Sequence, residues 1–229
     1  YHADMMGVVS ATEASTGRPV WVRRMPPVAV QTWDLLNPWQ MGEPVIDGES
    51  LITLSPDHRH VVRLDRATGE LRGSTLVSRL NQAQAARYLV RVGDMLSVVY
   101  DNRIALVPID SFETSDARLT PRIAEPGING RVTAAGNKLL VPVADGVLVV
   151  DTDHPEGDPT LMPLDNPGNI LALESQLLVV DDLAVHSYLL WEVAEKLLTQ
   201  RMLEDPEDPT AAATLAELAY RAGRHDRIV

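Results

Sequence analysis

The chain has 229 residues, 45% of them hydrophobic and 4% aromatic, enough for a sizeable core of one or two domains that Val, Leu and Ala must fill. Twenty Lys and Arg against 32 Asp and Glu leave a net charge of −12, which repels phosphate backbones and excludes nucleic acid as a general partner. Cys is absent, so a disulfide framework, a Cys-ligated zinc site and a cysteine nucleophile are excluded, and no apolar run approaches the ~20 residues that span a bilayer.

The first informative segment is Ala11-Thr12-Glu13-Ala14-Ser15-Thr16-Gly17-Arg18-Pro19-Val20-Trp21. It reads as a strand, a Thr-Gly turn and a second strand carrying Trp21. Glycine supplies the positive φ that such a tight corner needs, and the acidic residue before it can accept backbone N–H bonds. Trp21, on the outer strand, is placed to pack against a neighbouring sheet. An insertion over 25–41 follows, with Trp33, Leu36 and Trp39 between prolines; these three are the candidate partner-binding residues. The competing reading folds this loop back over the sheet edge.

A second copy comes next. Residues 43–46 would be an inner strand, with 51–54, 61–64 and 71–77 completing four strands. Its corner is Arg63-Leu64-Asp65-Arg66-Ala67-Thr68-Gly69-Glu70-Leu71. Within it, His58 and His60 could share a strand face, but no third metal ligand is evident. The third copy keeps Asp110. The fourth offers strands at 131–134, 138–143 and 147–150, with Asp145-Gly146 between the last two as a type I′ hairpin signal. Asp101-Asn102 and Asp181-Asp182 hold the same place in the flanking copies. Gly17 to Gly69 is 52 residues, Asp65 to Asp110 is 45, Asp110 to Asp151 is 41, and the next equivalent point falls 38 further on, near Leu189. Periods of about 40–50 residues built from short strands mark propeller blades, with no helix expected between 43 and 165.

The densest acidic cluster, 151–158, offers Asp151, Asp153 and Asp158 as candidate calcium ligands. Its spacing misses the calcium loop with Gly at the sixth position and Glu at the twelfth, and a solvated hairpin loop is the competing reading. Beyond Leu190 the period becomes helical: Trp191, Ala194, Leu198 and Met202 line one side of a helix that should stop near Glu204, before Pro206 and Pro209. A second helix is predicted over 210–221, ending at Gly223.

The corners resemble the repeat of quinoprotein-type (PQQ-like) β-propellers, Ala-x-Asp-x-x-Thr-Gly-x-x-x-Trp. Ala11, Thr16, Gly17 and Trp21 match it, as do Asp65, Thr68 and Gly69; Glu13 replaces Asp, and Gly73 stands at the Trp position. Outer-membrane assembly propeller lipoproteins and quinoprotein alcohol dehydrogenases share this repeat. Residues 211–226 resemble the first helix and turn of a tetratricopeptide repeat, an isolated helical hairpin being the alternative. The fold expected is an all-β propeller over 1–190, with about four to five four-stranded antiparallel blades, and a C-terminal α-helical segment over 191–229. Because such arrays close with more blades, these residues are expected to be a fragment, completed by other proteins or by further segments of the same polypeptide.

The resemblance implies a non-catalytic protein-interaction scaffold in the periplasm, cell envelope or extracellular space, with no catalytic residue and no cofactor. An alternative is a fragment of a quinone- or calcium-dependent oxidoreductase, although the adjacent-Cys disulfide of the alcohol dehydrogenases is impossible here. A third reading is the sensing propeller of a signalling protein.

Overall fold

The computed structural model describes residues 2–3, 8–25, 43–56, 58–81, 85–124, 127–164, 168–181, 183–189, 191–221 and 224. Two compact units are formed, Tyr1–Ile170 and Leu171–Val229. The first carries four sheets in succession. They are β1 (His2–Ala3), β2 (Val8–Thr12) and β3 (Pro19–Arg24); then β4 (Val45–Asp47), β5 (Ser50–Leu54), β6 (His60–Asp65) and β7 (Leu71–Leu76). After a short helix, α1 (Val77–Asn81), come β8 (Tyr88–Val92), β9 (Met95–Val99), β10 (Ile104–Pro108) and β11 (Arg118–Leu119). The fourth sheet comprises β12 (Thr133–Ala135), β13 (Lys138–Val143), β14 (Gly146–Asp151) and β15 (Thr160–Pro163). Every sheet is a meander, its strands lying in chain order, and the pairings in these four are antiparallel.

A fifth sheet starts at the boundary between the units with β16 (Asn169–Ala172) and continues through β17 (Gln176–Val180) and β18 (Val185–Leu189). The expected equivalent of the Asp corners in the fifth repeat, near Leu189, coincides with the end of β18, the third strand of that sheet. Two helices follow, α2 (Trp191–Glu204) and α3 (Thr210–Arg221), at the predicted limits. The Asp208 carboxylate caps α3 by accepting from the Thr210 N–H at 2.9 Å, which leaves Pro209 at the first helical position, where its missing N–H costs nothing. Gly223, the predicted helix stop, lies outside the described residues.

Successive sheets of the first unit stack face to face, and the alternation of side chains along a strand shows how. Ala105 and Val107 of β10 enter one core cluster, with Ile52, Val61 and Leu96. Ile104 and Leu106 point the other way, into a cluster with Leu139, Val141 and Val150. The middle strands are therefore continuous apolar runs, because both of their faces are covered.

Three local expectations are corrected. Strand β7 ends at Leu76, and Val77 instead opens α1, a helix where none was expected. Its five residues lie in the connection between two sheets, with Val77 and Leu80 sealing the core between them. The inner strand of the fourth sheet spans Thr133–Ala135 rather than 131–134. The hairpin assigned to Asp145-Gly146 turns one residue earlier. Val143 pairs with Gly146, so Ala144 and Asp145 form the loop and Gly146 is the first residue of β14. Glycine is needed there for a different reason. Its φ is +144°, and a Cβ would stand 2.3 Å from the Met162 carbonyl oxygen and 2.9 Å from the Leu164 nitrogen.

Gly146→Ala is therefore expected to cost about 2–4 kcal/mol, combining backbone strain with overpacking against β15. Gly136→Ala, at φ +60° with open space around it, should cost only about 1 kcal/mol. Urea unfolding midpoints of the two variants check the difference.

Candidate functional site

The corner before the outer strand of a sheet is where the sheets of the first unit hold one another. In the second sheet, the Asp65 Oδ1 accepts from the N–H groups of Ala67 and Thr68, both at 2.8 Å, and Gly69 donates to the Asp65 carbonyl at 2.8 Å. Gly69 takes φ +73°, as the corner requires. In the first sheet Glu13 replaces Asp, and its longer side chain accepts from the Thr16 hydroxyl at 2.5 Å. The same backbone corner results, Gly17 donating to the Glu13 carbonyl at 2.8 Å.

Trp21 docks across sheets onto the second corner. Its indole N–H donates to the Arg66 carbonyl at 3.0 Å, and its ring lies over Gly69 so closely that a Cβ there would fall 2.6 Å from Cε3. Arg23, two residues on, donates to the Gly69 carbonyl at 3.0 Å. The first sheet thus grips the second by a flat ring on a glycine.

The second sheet grips the third by other means. Gly73 occupies the Trp position, and its paired residue on β6 is Arg63. In the first sheet the same pair is Ala11 and Trp21. The large and small residues have changed strands. The Arg63 Nε donates to Glu113 at 2.7 Å and its Nη2 to the Ile109 carbonyl at 2.6 Å, with the guanidinium 4.7 Å from the Phe112 ring centroid. Room for this comes from Gly73, where a Cβ would meet the Glu113 Oε1 at 2.7 Å. These side chains are largely buried, so the pair belongs with charge-assisted bonds worth about 1.5–3 kcal/mol rather than with surface ion pairs.

The third sheet uses its own Trp position, eight residues after Asp110, which is Arg118. Its guanidinium donates to the Asp153 carbonyl and to Glu156 at 3.0 Å. This accounts for the acidic segment singled out as a calcium candidate. The Asp153 carboxylate accepts from the Asn137 amide at 2.9 Å, and Asp151 accepts from the Asp153 N–H at 2.9 Å. Asp158 enters no such contact among the described residues. No cluster of three or more His, Asp or Glu among those residues is arranged to hold a metal ion. His58 and His60 do not share a face: His58 is buried in a turn at φ +56°, its Nδ1 2.7 Å from the Ala86 carbonyl, while His60 opens β6. Trp33, Leu36 and Trp39 lie outside the described residues.

Inner strands are joined by Tyr88, whose hydroxyl donates to the Gly130 carbonyl and accepts from the Val132 N–H, both at 2.8 Å. Burial pushes this phenol up to about 12, so it stays a neutral donor. Among the described residues, no comparable contact lies on the other side of the first sheet. Val20 and Val22 of β3 are 64% and 62% exposed, on the face away from Trp21 and Arg23. In the second unit, Leu183 (89% exposed) and Val185 bracket the start of β18, and Leu203 and Tyr220 are exposed on the helices.

No protein-family model matches the chain, and no curated protein matches it by sequence. Solved structures do resemble it. BamB from Moraxella catarrhalis is 13% identical with a TM-score of 0.50, over 80% of this chain and 66% of that one. The computationally designed Ika8 protein is 12% identical with a TM-score of 0.55, over 82% and 54%. The dihydro-heme d1 dehydrogenase NirN, in complex with DHE, is 13% identical with a TM-score of 0.51, over 83% and 43%. BamB and NirN are β-propeller proteins, so the likeness shows a propeller-type fold, with sheets that do not close into a ring. The chain spans less than two thirds of the length of each of these structures. With an enzyme and a designed protein among them, the fold alone selects no activity.

Two measurements follow from the corners. Arg63→Ala should destabilise the chain by about 2 kcal/mol, and the Arg63→Ala/Gly73→Trp double variant should recover none of that loss, because the third sheet's corner brings Glu113 rather than a glycine against position 73. Thermal unfolding of the single and double variants reads this. The pH dependence has a definite sign. The backbone N–H of Thr68 foremost, then the Arg72 guanidinium and the Ala67 N–H, hold the Asp65 carboxyl below its usual range. The Asp65 contribution is therefore complete above its unfolded value of about 4 and is lost as pH falls through the lower folded value. Asp65→Asn, which keeps the N–H acceptor but not the charge, should flatten the fall of the thermal midpoint below about pH 4.

Proposed function

We propose that the chain is a non-catalytic interaction scaffold, part of a larger propeller protein of the cell envelope, whose helical end opens a tetratricopeptide-like array. The observation that carries this reading is the open face of the first sheet. Among the described residues, the middle strands of the second and third sheets send apolar side chains into core clusters on both of their faces. Val20 and Val22 extend the same alternation into solvent on an edge strand, and an apolar edge of that kind is a pairing surface for another β element. The lowered carboxylates Asp65, Glu156, Asp181 and Asp208 are accounted for by turn and cap hydrogen bonds and by Arg72, Arg118 and His186 beside them. Envelope location and the helical-repeat assignment rest on the family resemblance of the Thr-Gly corners and of residues 211–226.

A photo-crosslinking residue at position 20 or 22 in the intact protein tests the proposal. The expected product joins this face to another sheet-forming polypeptide, from a partner or from the protein's own chain. Val20→Glu/Val22→Glu should abolish the crosslink, or weaken binding of the purified partner about tenfold or more, while the thermal midpoint of the isolated chain is unchanged. No crosslink at either position sinks the scaffold reading. So do an absorbance change and substrate turnover on adding pyrroloquinoline quinone with calcium.

A further inference from the structure

A concavity of about 510 Å³ in the first unit gathers three arginines, Arg79, Arg103 and Arg122, with Asn81 and Asn102. They come from three places in the chain: α1, the tip between β9 and β10, and the segment after β11. In a protein of net charge −12 such a gathering runs against the overall field. Among the described residues, none of the three is in an ion pair; those pairs engage Arg63, Arg72, Arg87, Arg91, Arg118, Arg131 and His186.

Each arginine is held in a different way. Arg79 is fixed by neutral acceptors, its Nε on the Thr75 hydroxyl at 3.0 Å and its Nη2 on the carbonyls of Phe112 and Ser115 at 2.8 and 2.9 Å. Its position is set and its charge is not cancelled. The Arg103 Nε is buried with no hydrogen-bond partner among the described residues, so the protein leaves this guanidinium incompletely satisfied. Arg122 is exposed at the rim. A fixed charge, an incompletely satisfied guanidinium and an exposed arm line one space of small-molecule size.

We propose that this concavity binds a small oxyanion carrying two or more negative charges. Guanidinium forks match phosphate and carboxylate oxygens in pairs, and a singly charged anion would leave two of the three cations unmatched. The two asparagine amides add neutral donors and acceptors for the uncharged part of the ligand. This site is independent of the scaffold reading, since it lies between the second and third sheets and uses neither Val20 nor Val22.

The test is calorimetric titration of the intact protein at low ionic strength with inorganic pyrophosphate, citrate and acetate, supported by ligand-dependent thermal shifts. The expected result is saturable one-to-one binding of pyrophosphate or citrate, the tighter of the two identifying phosphate or polycarboxylate as the chemistry. Arg103→Gln and Arg122→Gln should each weaken it about tenfold or more, with no loss of stability in the absence of ligand. Arg18→Gln, which removes the same charge from an exposed turn elsewhere, should leave it unchanged. Acetate binding as tightly as the multivalent anions, an equal loss in Arg18→Gln, or no saturable binding of either multivalent anion overturns the proposal.

Discussion

Everything in the first unit depends on how one sheet is fastened to the next at the corner before its outer strand. Hydrophobic burial supplies most of the free energy of stacking, but it is non-directional and would tolerate sliding of one sheet over another. The corners remove that freedom. Those of the second, third and fourth sheets present backbone carbonyls in fixed orientation and receive long side chains from the sheet before. Trp21, Arg63 and Arg118 all end on such a carbonyl: those of Arg66, Ile109 and Asp153 respectively.

The chemistry of the fastener changes along the array while its geometry persists. A tryptophan on the outer strand, with alanine beside it, serves the first junction. The second uses an arginine on the third strand with glycine beside it, and the third an arginine back on the outer strand. The exchange between Ala11/Trp21 and Arg63/Gly73 conserves the space at these two junctions, since in both one large residue is paired with one small one. It also explains why the receiving corners differ. Gly69 accepts a ring face, whereas the later corners supply the carboxylates Glu113 and Glu156 to a guanidinium. Much of the excess acidity in the middle of the chain is thereby structural.

In the proposed scaffold, stability is separate from recognition. Buried middle strands with both faces covered leave little room for functional variation, so the surfaces proposed for binding are the exposed valines of β3 and the basic concavity where α1 meets the third sheet. The corner between the third and fourth sheets, although rich in carboxylates, is engaged by Arg118 and Asn137.

The strands, their order and their period were legible from the sequence because side-chain alternation and turn residues are local signals. Asp65, Thr68 and Gly69 announce a corner whatever surrounds them, and the helices at Trp191–Glu204 and Thr210–Arg221 announce themselves by spacing and by the prolines between. Helix α1 did not, since five residues are too few for a period to register. Position counting could have flagged Arg118, eight residues after Asp110 as Trp21 is eight after Glu13. Arg63 was beyond reach in that way, because its role exists only when the strand beside it carries a glycine and the next sheet brings Glu113 within hydrogen-bonding distance. The same holds for Gly146, read as a turn residue but required by the approach of β15, and for Arg79, Arg103 and Arg122, drawn together from across 44 positions of chain. Local chemistry wrote the elements; contacts between residues far apart in sequence decided what each one does.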